Sequence, residues 1–247
     1  MRDEVAPLLN RFLDEMREAV PLEALWAHGS LALGDFRPGR SDLDMIAVIA
    51  SPAGSAERHR LQAIHHALEA DDPQAAKLHC SYMVRGALTD TSTRHLTWAH
   101  RELTTRAVTP VSRRELRTGD LSLFGPPPSA LLPDVGDAEL AEFVRHDLRT
   151  FWLPATLRPT IWLRDVWVDL GALTTARASV TLADGRLISK GEALDVLPTL
   201  GAPQELVDEI RARRYASPET LNAPQRVRRA RQTRAFTRSA IQRVLAS

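Results

Sequence analysis

A single segment, Asp42–Ala50 (DLDMIAVIA), sets the strongest limit on how the N-terminal half can fold. After a polar start it is almost entirely apolar, which is typical of a strand buried on both faces. Periodicity and composition predict two further strands, at Leu22–Trp26 and Leu78–Val84, and two helices, at Asp3–Ala19 and Ala56–Ala70. The order of these elements predicts an α/β domain built on a small mixed sheet.

A proline-rich stretch separates the α/β pattern from a second pattern, which is helical throughout. The stretch Leu123–Val135 contains four prolines, too many for a regular element, so we expect a linker at 126–135. The linker would divide a first domain at 1–125 from a second domain at 136–247. The segments predicted beyond it are all helical: Ala138–Phe151, Ile161–Val180, Ser189–Leu197, Gln204–Tyr215 and Pro224–Leu245. We therefore expect an α+β protein whose second domain is an all-α helical bundle.

Composition excludes several classes of protein. One cysteine rules out a disulfide scaffold, and no apolar run approaches the ~18 residues that a membrane span needs. The first residues (MRDEVAPLLN) are acidic where a signal peptide would be basic, so we expect a cytoplasmic protein without a membrane partner. The balance of 32 Lys and Arg against 31 Asp and Glu disfavours nucleic acid as a partner, although it leaves local basic patches open.

Two aspartates at the start of the apolar strand carry the clearest chemical signal. In a strand, Asp42 and Asp44 project to the same face of the sheet. Two such carboxylates repel each other unless a divalent cation lies between them, and hard oxygen ligands suit Mg²⁺ that carries a substrate phosphate. Upstream, Gly29 permits close approach of the backbone, and Ser30 opens a predicted short helix at Leu31–Gly34 that offers an anion site for a triphosphate.

The Gly29-Ser30 pair, the eleven residues after it and the Asp-x-Asp that opens an apolar strand resemble the signature of polymerase-β-like nucleotidyltransferases. Over most of its length the chain is similar to aminoglycoside adenylyltransferases of the streptomycin/spectinomycin type, which add a C-terminal helical domain. The resemblance implies an enzyme that moves a nucleoside monophosphate, AMP from ATP as co-substrate, to a hydroxyl of a small-molecule acceptor such as an aminoglycoside-like compound. It also implies that Asp42 and Asp44 are catalytic and bind Mg²⁺.

The same resemblance assigns nucleotide-binding residues beyond the aspartate pair. Ala183–Ala216 looks like the family's helix-loop-helix, whose lysine reaches the nucleotide phosphates, so Lys190 takes that role and Arg186 assists it. Lys190 is one of only two lysines among 32 basic residues, and a lysine retained in so arginine-biased a chain favours a function. The other nucleotide-binding candidates lie around the motif: Gly29, Ser30, Arg40 and Ser41.

The chain departs from the family pattern in two places. The family's third carboxylate, which acts as base on the attacking hydroxyl, aligns with His79, which either replaces it as catalytic base or marks a lost function. The helices expected to meet the acceptor carry arginines, whereas a polycationic acceptor would require carboxylates there. The arginines are Arg145, Arg149, Arg158 and Arg164, against Asp147, Asp165 and Asp169.

Other functions remain compatible with the sequence. A nucleotidyltransferase of this type could act on tRNA or on a protein, as in toxin–antitoxin systems, or the chain could bind nucleotide without transferring it. The segment Arg226–Arg243 has seven arginines and no acid, which fits either phosphate contacts or solvated side chains beside an apolar stripe. The sequence leaves the acceptor, the base of the nucleotide and the oligomeric state open.

Overall fold

The computed structural model describes residues 2–246, which form two compact units, one ending at Val135 and one beginning at Gly136. With short 3₁₀ turns at some of the connections, the first unit consists of strands and helices. These are α1 (Arg2–Ala19), β1 (Leu22–His28), α2 (Gly29–Ala32), β2 (Leu43–Ile49), α3 (Ser55–Asp71), β3 (Leu78–Val84), β4 (Arg94–Ala99), β5 (Glu102–Ala107), α4 (Pro110–Gly119), β6 (Leu121–Phe124) and α5 (Pro128–Leu131).

The strands form one mixed sheet in the order β5-β4-β3-β2-β1-β6. Strands β2 and β3 run parallel, and the other paired strands run antiparallel. This register places Asp44 of β2 between His28 of β1 and His79 of β3. The predicted fold class, a small mixed sheet followed by an all-α part, is confirmed.

Both faces of the sheet are covered, as the apolar run of β2 predicts. On one face, Met45 packs in a core with Phe12 of α1 and Leu61 of α3. On the other face, Ile46 packs in a smaller core that includes Leu116 of α4. Because α4 covers only part of this second face, Asp44 at the start of β2 borders a cavity instead of a packed core.

Helix α4 is tied to the loop after β3 by a buried arginine. Arg113 is fully buried and donates hydrogen bonds to the backbone carbonyls of Val108, Leu88 and Asp90. A guanidinium can be buried at this position because loop carbonyls satisfy its donors. The contacts fix α4 against the sheet and so define one wall beside the aspartates.

Two local predictions are wrong. The short helix expected at Leu31–Gly34 starts earlier, at Gly29–Ala32. The proline-rich stretch Leu123–Val135 was expected to lie outside regular elements, yet it contains the end of β6 and all of α5, at Pro128–Leu131. Proline is compatible with the first turn of a helix, because the amide that it lacks would have no partner there.

The second unit is helical throughout its regular elements. The helices are α6 (Asp137–Asp147), α7 (Leu153–Ala155), α8 (Asp165–Asp184), α9 (Lys190–Val196), α10 (Gln204–Tyr215) and α11 (Ala223–Ala246), with a π turn at Leu148–Trp152 and 3₁₀ turns at Pro159–Leu163 and Leu197–Leu200. Its core brings together Val168 and Ala172 of α8, Leu194 of α9, Ile210 of α10 and Phe236 of α11. Among residues 2–246, no helix combines the length and apolarity needed to cross a lipid bilayer.

Candidate active site

The two motif aspartates lie at the start of β2, where parallel pairing with β3 brings basic side chains beside them. His79 Nδ1 lies 3.6 Å from Asp44 Oδ1, and Lys77 Nζ lies 3.6 Å from Asp42 Oδ1. Both distances exceed the length of a hydrogen bond. The side chains of Asp42 and Asp44 are 42% and 33% exposed, so a ligand from solvent can reach both carboxylates.

Gly29 brings the end of β1 against the carboxylate of Asp44. Its φ of +60° lies in the left-handed region. A Cβ at this position would lie 2.8 Å from Asp44 Oδ2, closer than carbon and oxygen can approach. Any other residue would therefore be strained by the backbone angle and would also displace Asp44. The structure thus explains why a glycine opens the motif.

The residues next to the motif take different positions. Ser30 lies in α2, with its hydroxyl 3.5 Å from the backbone carbonyl of Asp42. Ser41 is buried, and its hydroxyl accepts a 3.0 Å hydrogen bond from the amide of Arg37, which closes the turn that leads into Asp42. Arg40 lies in the same turn and is exposed. The serine hydroxyls thus contact the backbone that positions the aspartates.

His79 lies beside Asp44 and also contacts a second histidine. The ring of His100 lies edge-on to the ring of His79, with 5.2 Å between ring centroids. His100 and Arg101 form the tight connection between β4 and β5, and both have positive φ angles, 53° and 66°. Such angles suit a two-residue hairpin turn but are uncommon for residues other than Gly, Asn and Asp.

His28 is a site residue that sequence patterns did not reveal. Its Nδ1 lies 3.4 Å from Oε2 of Glu115, a buried carboxylate of α4. Burial alone would lower the pKa of His28, but the hydrogen bond to Glu115 and the negative charges of Asp44 and Glu115 outweigh it and raise the pKa. The protonated imidazole is therefore favoured beside Asp44. Strand alternation from Trp26 would have placed His28 on this face.

Lys77 is the second residue that the sequence reading missed. It precedes β3 directly, so the parallel register of β2 and β3 places it next to Asp42. The available signal was the one used for Lys190, since these are the only two lysines in the chain. The pairing of β2 with β3, which no local pattern specifies, is what brings Lys77 to the site.

A cavity of about 150 Å³ opens beside Asp44 and His79. Its polar lining comes from Ser81 and Thr97, whose hydroxyls are 2.9 Å apart, and from Arg106. The complete lining is His28, Asp44, Met45, Ile46, His79, Cys80, Ser81, Thr97, Ala99, Arg106, Ala107, Val108 and Ser112. The cavity lies wholly within the first unit.

The two basic residues expected at the nucleotide phosphates belong to the second unit. Lys190 is the first residue of α9, directly after Ser189, whose hydroxyl accepts the amide of Glu192 in a capping box. Arg186 is exposed and lies 3.3 Å from Asp184. Lys190 is therefore held in position by a well-capped helix start, whereas Arg186 interacts locally.

Two of the three carboxylates expected to counter the arginines of the second unit, Asp165 and Asp169, form ion pairs within it. Asp169 lies 2.6 Å from Arg213. Asp165 lies 2.7 Å from the buried Arg229, which also pairs with Glu209. Burial raises the pKa of Asp169 even though Arg213 acts to lower it. Asp165 and Asp169 therefore pair with Arg229 and Arg213, and not with the four arginines that the sequence analysis set against them.

The two aspartate carboxylates suit a cation whose other ligands are substrate phosphates and water. Among residues 2–246, no group of three or more His, Cys, Asp and Glu side chains is arranged to hold a metal ion. Asp42 and Asp44 supply accessible oxygen ligands from one strand. Mg²⁺ is commonly bound by one or two carboxylates together with substrate phosphates and water, so this donor set fits Mg²⁺ bound with a nucleotide.

Comparison with known proteins identifies the class of the first unit. Residues 9–94 match the family model of the nucleotidyltransferase domain. This range contains the Gly29-Ser30 pair, both motif aspartates and His79. The first unit thus contains a nucleotidyltransferase domain, and the resemblance drawn from these residues is confirmed.

A solved structure extends the similarity to nearly the whole chain. The spectinomycin adenyltransferase AAD(9) from Enterococcus faecialis, solved with ATP and spectinomycin, superimposes with a TM-score of 0.73 at 13% sequence identity. The match covers 95% of this chain and 98% of the other. At this identity the similarity establishes a common fold. No curated protein sequence matches the chain.

Proposed function

We propose that the protein transfers a nucleoside monophosphate, AMP from ATP, to a hydroxyl of a small-molecule acceptor in a Mg²⁺-dependent reaction. The observation that carries the proposal is the meeting of Gly29, Asp44 and His79 at one end of the sheet of a nucleotidyltransferase domain. The similarity in fold to an adenyltransferase solved with ATP supports ATP as the donor. We further propose that the protein acts in the cytoplasm.

Asp42 and Asp44 would hold the Mg²⁺ ion. Bound there, Mg²⁺ would neutralise charge on the triphosphate and orient it for in-line attack. Lys77 and His79 lie close enough to limit the repulsion between the two carboxylates without hydrogen-bonding to them at 3.6 Å. Gly29 keeps the space beside Asp44 Oδ2 clear of any side chain.

Further residues are proposed to bind the nucleotide. Gly29, Ser30, Arg40 and Ser41 surround the aspartates, and we propose that they contact or position the triphosphate. Lys190, supported by Arg186, would add positive charge at the phosphates. For Ser41 the role is indirect, because its hydroxyl holds the turn before Asp42.

His79 would accept the proton of the attacking hydroxyl. Its imidazole lies next to Asp44, where the acceptor must approach the phosphate, and a neutral imidazole is a competent general base. If the position has instead lost its role, the protein would bind ATP without transfer. Retention of an open cavity beside His79 supports a working acceptor site.

The test is Mg²⁺-dependent release of pyrophosphate from ATP across a panel of hydroxyl compounds. Asp42→Ala should reduce the rate at least about a hundredfold, because it removes a metal ligand. Thermal unfolding should be unchanged or slightly improved, since a source of like-charge repulsion is lost. Asp14→Ala, which removes an exposed carboxylate from α1, is the matched control and should keep full activity.

Two results would contradict the proposal. Near wild-type turnover of Asp42→Ala would show that the metal assignment is wrong. ATP binding without pyrophosphate release from any acceptor would indicate a nucleotide-binding protein that does not transfer.

An RNA acceptor is the second candidate, and helix α11 favours it. Three of its arginines, Arg226, Arg231 and Arg234, form no side-chain hydrogen bond or ion pair with other residues in the 2–246 range. Arginines of this kind are suited to phosphate contacts. Binding to tRNA that weakens steeply with salt would support this candidate over a small-molecule acceptor.

A further inference from the structure

The cavity beside His79 is lined by an arginine whose role the proposed reaction leaves unexplained. Arg106 of β5 lines this cavity, and its guanidinium forms no hydrogen bond or ion pair with any side chain or carbonyl within residues 2–246. A guanidinium has five donors in a fixed planar fork, which suits the bidentate binding of a carboxylate or phosphate. Arg106 is therefore available to bind an oxyanion in this cavity.

The rest of the lining supports an anion in preference to an amine. Ser81 and Thr97 offer hydroxyls that lie 2.9 Å apart. Within the lining, Asp44 is the one carboxylate, and it faces the proposed Mg²⁺. An ammonium group placed beside Arg106 would meet a like charge, and the lining offers it no carboxylate besides Asp44.

The size of the cavity limits what it can hold. A volume of about 150 Å³ corresponds to roughly five water molecules, which is room for a group of a few heavy atoms. Since Arg106 and His79 line the same small space, the group bound by Arg106 must lie close to the hydroxyl that His79 would activate.

We propose that this cavity is the acceptor subsite and that it binds an oxyanion, a carboxylate or a phosphate, carried next to the hydroxyl that is modified. The inference rests on the proposed function and specifies the chemical class of the acceptor. The acceptor is a hydroxylated acid or phosphate ester, and Arg106 selects it over an aminated compound of the same skeleton.

The test measures binding, so it does not depend on turnover. Glucose, glucosamine, glucuronate and glucose 6-phosphate share one skeleton and differ in charge. Ligand-observed NMR would measure their affinities in the presence of saturating Mg²⁺ and a non-hydrolysable ATP analogue, which keeps the anions out of the nucleotide site. The wild-type protein should bind at least one of the two anions about tenfold or more tightly than glucosamine, and the preferred anion distinguishes carboxylate from phosphate.

Three variants test whether Arg106 causes the preference for an anion over glucosamine. Arg106→Gln should abolish it, and Arg106→Lys should retain part of it because the charge remains. Arg94→Gln is the matched control, since Arg94 is an exposed arginine on the adjacent strand β4 whose alternation places it on the other sheet face. This variant should keep the full preference.

Several outcomes would overturn the proposal. These are a preference for glucosamine, an anion preference that survives Arg106→Gln, and the absence of binding by all four probes. Weaker binding of the ATP analogue to Arg106→Gln would assign Arg106 to the nucleotide instead. If the anion preference depends on Arg106 but no acceptor yields pyrophosphate, the subsite stands and the proposed transfer fails, so the two failures are distinguishable.

Discussion

Asp44 lies where three neighbouring strands bring side chains together. Gly29 presses against its carboxylate from β1, and His79 lies beside it from β3. Alternation along β2 predicted that Asp42 and Asp44 share one face, and the resemblance to nucleotidyltransferases added His79 in β3. Lys77 and His28 could not be found in this way, because their proximity depends on which strands pair and in which register.

His79 gives the sharpest test at the scale of one residue. His79→Ala should lower kcat by about 10²–10⁴ with little change in the KM for ATP, because a general base acts on the transition state and not on nucleotide binding. His79→Glu should recover much of the activity, since a carboxylate can take the same proton. Steady-state kinetics of pyrophosphate release would measure both variants.

The matched control for His79 is His59→Ala, which removes an exposed histidine of α3 and should leave kcat unchanged. Equal activity of wild type and His79→Ala would reduce His79 to a structural strand residue. A base would then have to be sought elsewhere in the site.

At the scale of elements, strongly apolar strands were predictable and more polar strands were not. Helix α1 and strands β1 to β3 carry clear apolar patterns, and their predicted bounds agree closely with the structure. Strands β4 (RHLTWA) and β5 (ELTTRA) are largely polar, and β5 is mostly exposed. The turn between them uses His100 and Arg101 in place of the usual Asn and Gly, so no turn signal marks this hairpin.

The packing of α3 on the sheet predicts a dependence of stability on pH. His65 is buried, stacks on Trp98 with 4.6 Å between ring centroids, and lies 2.6 Å from the Tyr82 hydroxyl. Burial, with the nearby charges of His66 and His79, lowers the pKa of His65 from 6.5 to about 3. Below pH 6.5 the unfolded chain therefore binds a proton at His65, whereas the folded chain does not bind it until about pH 3.

The contribution of His65 to the free energy of unfolding is thus fully present above pH 6.5 and is lost as the pH falls toward 3. Between pH 7 and pH 5 the loss should be about 2 kcal/mol. In His65→Phe, which keeps an aromatic ring without a titrating group, denaturant unfolding should show a correspondingly smaller loss over the same interval. His59→Ala should keep the wild-type pH dependence, and an unchanged dependence in His65→Phe would contradict the assignment.

At the scale of the whole molecule, the abundance of arginine serves different purposes in different places. Arg113 satisfies loop carbonyls in the first unit, whereas Arg213 and Arg229 form ion pairs with carboxylates in the second. The sequence predicted an arginine-rich helix α11 but could not separate its buried arginines from its exposed ones. Partners for Arg229 come from α8 and α10, and a single helical pattern carries no information about them.

Because some arginines of α11 are buried and others are exposed, replacing them should lower the free energy of unfolding by different amounts. Arg229 is 6% exposed and lies between Asp165 and Glu209, so Arg229→Met would leave carboxylates without their buried partner. The free energy of unfolding should fall by about 1–3 kcal/mol, because Asp165 is exposed to water and Glu209 keeps its ion pair with Arg213. Arg226→Met, at an exposed position of the same helix, should change it by less than about 0.5 kcal/mol.

Denaturant unfolding followed by hydrogen exchange in peptides of α10 and α11 would measure both effects in the second unit. Binding of tRNA adds a second discriminating measurement. If Arg226→Met left stability intact but weakened tRNA binding and its salt dependence, the exposed arginines of α11 would be assigned to phosphate contacts. Equal stability of the Arg229 and Arg226 variants would instead show that the ion pairs of Arg229 contribute little, and that α11 is held by the packing of Phe236 and Ala240 alone.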